Sequence, residues 1–208
     1  SDIFINEFHY DNSGSDVGEF IEVVVGPAFV GALSSAVVHL YNGNNGRSYG
    51  SSFALDEFTP GSSNTPELPA LYFKEISGIQ NGSPDGIALE IDGVVREFLS
   101  YEGTFTANDG IAAGMTSRTV GVAQGPNTPA GQQSISRIGS GRVAEDFEWA
   151  IQPGSHTPGE INMGQSFGAS PEPQGLGIDN LVITPLKDQD GDQIPDQEEL
   201  ENGTNPAL

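Results

Sequence analysis

Residues 87–101 hold two apolar, β-branched runs, IALEI and VVREFLSY, separated only by Asp92 and Gly93. A two-residue connection of this kind closes an antiparallel hairpin when both central residues accept positive φ, which Asp-Gly does readily as a type I′ turn. This hairpin is the clearest local signal in the chain.

Other segments agree. IFINEFHY (3–10) reads as a strand with Phe4, Phe8 and Tyr10 on one parity and Ile3 and Ile5 on the other, hence a strand between two covered faces. EFIEVVV (19–25), AVVHLY (36–41), SISRI (134–138) and DFEWAI (146–151) are four more, and NGNNG (42–46) ends the third strand with residues that tolerate positive φ. Stretches 56–69 and 103–133 are rich in Gly, Ser, Thr and Pro and read as loops. No segment carries a long 3.6-residue period, apart from a turn or two near 196–202. Short strands at this spacing predict an all-β sandwich or barrel.

With 29 acidic and 7 basic residues the formal charge is −22. Such a surface repels phosphate backbones, so neither direct nucleic-acid binding nor attachment to anionic membranes is expected, while divalent cations are attracted. A salt-tolerant surface is the plainer reading of the same charge. Cysteine is absent, which removes disulfides, thiolate metal sites and cysteine nucleophiles together. No apolar run approaches the ~20 residues of a membrane span, so membrane insertion is not expected. The chain starts at Ser1 without an initiator Met and reads as a processed or trimmed product, after removal of either a secretion signal or a tag.

In order along the chain, IFINEFHYDNSGSDVGEFIEVVV (3–25), NGSPDGIALEIDGVV (81–95), REFLSYEGTFTANDGIAAGMTS (96–117), DFEWA (146–150) and TPGEINMGQSF (157–167) resemble the bacterial form of the lamin tail domain. The resemblance covers residues 1–167 and implies an immunoglobulin-like β-sandwich. It also implies an accessory module of secreted bacterial proteins, often beside an extracellular nuclease domain, with no catalytic residues of its own. GASPEPQGLG (168–177) reads as a linker, and IDNLVITPL (178–186) as one further strand.

The tail, 187–208, resembles a bacterial thrombospondin type 3 repeat. Asp188, Asp190, Asp192, Asp196 and Glu199 fall at positions 1, 3, 5, 9 and 12 of a twelve-residue calcium loop, with the carbonyl of Ile194 at position 7. Alternate positions suit one ion, since adjacent side chains point apart. Gln193 stands where such loops usually have glycine, and Gly191 lies two positions earlier. The fold expected is thus an all-β, immunoglobulin-like sandwich with a short C-terminal calcium-binding loop, and Ca2+ is the one cofactor expected.

Other chemistry finds less support. His9 and His39 lie in strands and read as packed, hydrogen-bonded imidazoles, and His156 in SHTPGE as a surface residue. No histidine spacing suits a transition metal, and there is no G-x-S-x-G elbow. Glu7 and Glu22 could face each other across neighbouring strands, as acid–base catalysis requires, but only in a cleft. Asp11, Asp16 and Glu19 could form a second calcium site in the first acidic turn, or an ordinary polar turn. The expectation is a secreted, extracellular, non-catalytic module with a structural, adhesive or surface-assembly role. The alternatives are an accessory domain of a secreted nuclease or hydrolase, and a filament subunit whose strand 178–186 joins neighbouring copies. Calcium is the expected partner, with further copies of the chain or other surface components beside it.

Overall fold

A computed structural model describes residues 2–62 and 68–168. By its internal contacts the chain divides into units 1–170 and 171–208; the second lies outside the described residues, and with it the segments where a strand (178–186) and a calcium-binding loop are expected.

The first unit is an all-β sandwich. Its strands are β1 (Ile3–His9), β2 (Phe20–Val25), β3 (Ala36–Asn42), β4 (Arg47–Ala54), β5 (Thr59–Pro60), β6 (Ala70–Glu75), β7 (Asp85–Ile91), β8 (Val94–Tyr101), β9 (Arg118–Thr119), β10 (Ile135–Gly141), β11 (Phe147–Ile151) and β12 (Gln165–Phe167). One sheet runs β11-β10-β1-β2-β6-β5, with β12 parallel to the far end of β10; the other runs β4-β3-β7-β8-β9. The expected hairpin is β7–β8, where Asp92 and Gly93 take φ of 50° and 78° as a type I′ turn demands.

Between the sheets, Ile5, Phe8, Ile21 and Val23 pack against Val38, Leu40, Ile87, Leu89 and Leu99. Phe8 stacks on Tyr10 and Tyr10 on Tyr101, the two tyrosine ring centres 4.0 Å apart, while Trp149 meets Phe8 edge-on from the border of this core.

The single aromatic parity expected of β1 does not hold. Ile5 pairs with Val23 but Glu7 pairs with Glu22, so an extra residue sits at Asn6. A bulge places two residues opposite one and reverses the in–out alternation beyond it. Phe4 therefore packs on the outside of the sheet with Val24, Leu71 and Phe147, whereas Phe8 and Tyr10 enter the sandwich. The same reversal turns Glu7 and His9 outward.

Both outer faces are partly roofed by the chain itself. Residues 105–112 cover Tyr41, Ala88 and Phe98 on the second sheet, pinned where Tyr41 Oη accepts the Ala112 N–H at 3.0 Å. The segment after β11 covers Glu7, Glu22 and His9 on the first. Among the described residues no helix is long and apolar enough to cross a membrane.

Candidate functional site

Glu7, Glu22 and His9 lie together under this second roof. Glu7 and Glu22 are directly opposed on β1 and β2, and both are 0% exposed. Glu7 Oε1 accepts the Ser134 hydroxyl and, at 3.0 Å, the Thr157 N–H; the Thr157 hydroxyl lies 3.0 Å from Oε2. Glu22 accepts from Asn6 Nδ2 at 2.8 Å and from the Gly159 N–H at 2.5 Å. Gly159 fits because its φ is +83° and a Cβ there would stand 3.0 Å from the Phe73 ring. Asn6, extruded by the bulge, exchanges amide hydrogen bonds with Gln165 at 2.6 and 3.2 Å, tying β1 to β12.

Burial pushes both carboxyls above their ordinary range. It is the largest cause for each; the charge of Glu7 raises Glu22 further, while the donors around them pull the other way. Paired carboxylates are the apparatus of acid–base hydrolysis only where a substrate can lie between them. Here both groups are enclosed and their hydrogen-bonding oxygens hold the chain's own loop.

A second pair crosses the sandwich. Arg137, 1% exposed, donates from Nη2 to Glu97 Oε1 at 2.6 Å, from Nε to the Ile5 carbonyl at 2.8 Å and from Nη1 to the Ala144 carbonyl at 2.6 Å. Its guanidinium carbon lies 4.4 Å from the Trp149 ring centre. Glu97 Oε2 accepts the Ile5 N–H at 2.7 Å, so ion pair and bulge hold each other.

One row further along, His9 is wholly buried, and Gln124 Nε2 lies 2.7 Å from its Nδ1. His156 stacks on His9 with ring centres 5.3 Å apart and lies 5.0 Å from Phe20. His39 pairs with Glu90 at 2.8 Å, as the packed reading expects. His156 departs from the surface reading: both ring nitrogens are buried. Sequence gives little warning of this, because its partners lie on strands about 140 residues earlier.

Of the first acidic turn, Asp16 takes the Asn12 N–H at 3.0 Å and Asn81 Nδ2 at 3.2 Å, and Glu19 takes the Gly78 N–H at 2.8 Å. Asp11 is buried. Asp11, Asp16 and Glu19 are not brought together as a ligand set: among the described residues no three His, Asp or Glu side chains are placed to hold a metal ion. Asp188, Asp190, Asp192, Ile194, Asp196 and Glu199 lie outside the described residues.

Comparison of the chain with family models, with curated proteins and with solved structures finds no match.

Proposed function

We propose that this chain is a secreted, non-catalytic module of bacterial origin, a lamin-tail-like sandwich with a calcium-stabilised tail, serving a structural, adhesive or surface-assembly role. The observation that carries the reading is the use made of its buried ionisable groups. Glu7, Glu22, Glu97 and Arg137 all spend their hydrogen bonds on backbone and side chains of the sandwich itself. A catalytic carboxylate needs an open side toward its substrate. The tail's role rests on five carboxylates at calcium-loop spacing.

The test is an assay of the purified chain on DNA, glycosides and esters with calcium or magnesium. Hydrolysis at background level is expected; strong cleavage abolished by changing one acidic residue would overturn the reading. An accessory role beside a nuclease or hydrolase domain is a second reading, supported by the segments within 1–167 that resemble such modules. It requires a catalytic domain encoded in the same polypeptide, which sequencing the intact gene tests.

A further inference from the structure

The corner beside Glu7 and Glu22 leaves several buried polar atoms without hydrogen bonds among the described residues. They are Nε2 of His9, both ring nitrogens of His156, and Oε1 of Glu19. Imidazole nitrogens so placed bind either a metal or a proton, and Gln124 decides between the two. Its carbonyl accepts the Tyr10 N–H at 2.8 Å and its amide NH2 donates to the Gln133 carbonyl, so the amide cannot be turned over without losing both. The same NH2 faces His9 Nδ1 at 2.7 Å. His9 must therefore accept at Nδ1 and carry its proton on Nε2. A metal-binding histidine requires the reverse, a free lone pair on one nitrogen and an N–H given to an acceptor on the other. Parallel rings also direct their lone pairs side by side and not onto one ion.

We propose that His156 is an acid-sensitive latch, whose protonation unfastens the loop 153–160 from the outer face of the first sheet. Neutral, the ring packs flat on His9 and against Phe20, and the loop is held for Thr157 and Gly159 to reach Glu7 and Glu22. Protonated, it must carry a charge with both nitrogens shut from water. Burial lowers the pKa of His156, and Glu75 on β6 opposes it. The other ionisable groups of the corner are Glu7 on β1, Glu22 on β2 and Glu19 immediately before β2. Glu19 has its Oε2 bound to Gly78. With its folded pKa below the free value, His156 adds stability in full above ~pH 6.5, and the loss begins as pH falls below that. Glu7 and Glu22, raised by burial, act in the opposite sense: through them acidification stabilises the corner and opposes the release.

Amide hydrogen exchange of the full chain between about pH 7.5 and about pH 5, corrected for intrinsic rates, reads the latch directly. Protection of 153–160 is expected to fall while β3 and β7 keep theirs, and His156→Gln is expected to flatten or reverse the trend. Unchanged protection in the wild type, or an undiminished fall in His156→Gln, would overturn the proposal. A proton NMR titration of the wild-type His156 ring needs no variant. It must show protonation below the free-histidine range, and an ordinary or elevated midpoint sinks the latch.

Discussion

Arg137 and Glu97 meet between the two sheets at 2.6 Å, and each also holds the backbone of Ile5, Arg137 at the carbonyl and Glu97 at the N–H. One ion pair thus joins β8 to β10 and clamps the turn of β1 into its bulge. Everything beyond depends on that bulge, since it sends Phe8 into the core and Glu7 and His9 to the outer face.

Removing one partner of an enclosed pair leaves the other charge unpaired, which typically costs about 3–5 kcal/mol. Glu97→Ala is expected to lose stability on that scale in urea unfolding. Glu97→Gln keeps an acceptor for one of the two donors and is expected to lose less. A loss below about 1 kcal/mol for Glu97→Ala, the ordinary figure for an exposed pair, would show that the clamp is not needed.

Much of this was legible in the sequence, and what was not has physical causes. The Asp92-Gly93 hairpin and the runs at 3–10, 19–25, 36–41, 134–138 and 146–151 are strands close to where periodicity puts them. β4 escaped because RSYGSSFA is an exposed edge without alternation, interrupted by Gly50 at φ +66°. β12 has only three residues, and β9 and β5 two each. Facing of Glu7 and Glu22 was open to inference from two strands of known order. Their burial was not, because the donors that allow it, Ser134 and Thr157, are 127 and 150 residues from Glu7. Arg137 is hidden for a similar reason, arginine being seldom enclosed without a partner that sequence does not reveal.

Glu22 should leave a signature in the pH dependence of stability. Burial holds its folded pKa well above the ordinary carboxylate range, so the native state keeps a proton that the unfolded state releases. Stability contributed by this group is therefore present below the unfolded value and is lost as pH rises through the folded one. Urea midpoints between about pH 8 and about pH 5 are expected to rise on acidification relative to Glu22→Gln, in which this titration is gone. Parallel curves for the two proteins would remove Glu22 as a titrating group.

Gly86 on β7 has no room for a side chain. A Cβ there would stand 2.7 Å from the Leu99 carbonyl oxygen and 3.0 Å from the Phe105 ring. Backbone on the paired strand cannot retreat without breaking the β7–β8 ladder, so Gly86→Ala is expected to cost about 1–3 kcal/mol, as overpacking does. Gly93→Ala at the exposed hairpin turn meets nothing within 4 Å but keeps a φ of +78°. Its cost, through backbone strain alone, should be about 1 kcal/mol. Denaturant midpoints that rank the two in reverse order would refute the packing argument.

Loops with the carboxylate spacing of 188–199 in extracellular modules bind calcium with dissociation constants on the order of 0.1–1 mM. At about 100 times its dissociation constant an ion stabilises the folded form of its site by about 2.7 kcal/mol. Calcium at about 10 mM, roughly that excess for a 0.1 mM site, should therefore slow proteolysis within 187–203, and chelator should restore it. Asp190 would give a monodentate oxygen at position 3 of the loop, so Asp190→Ala should abolish most of the protection. Asp190→Asn keeps one carbonyl oxygen at that point and should retain part of it. Magnesium prefers tight octahedral geometry and holds its waters, so it should not substitute at the same concentration. If cleavage within 187–203 is equally fast with calcium, with chelator and in Asp190→Ala, the five carboxylates form an acidic tail and not an ion site.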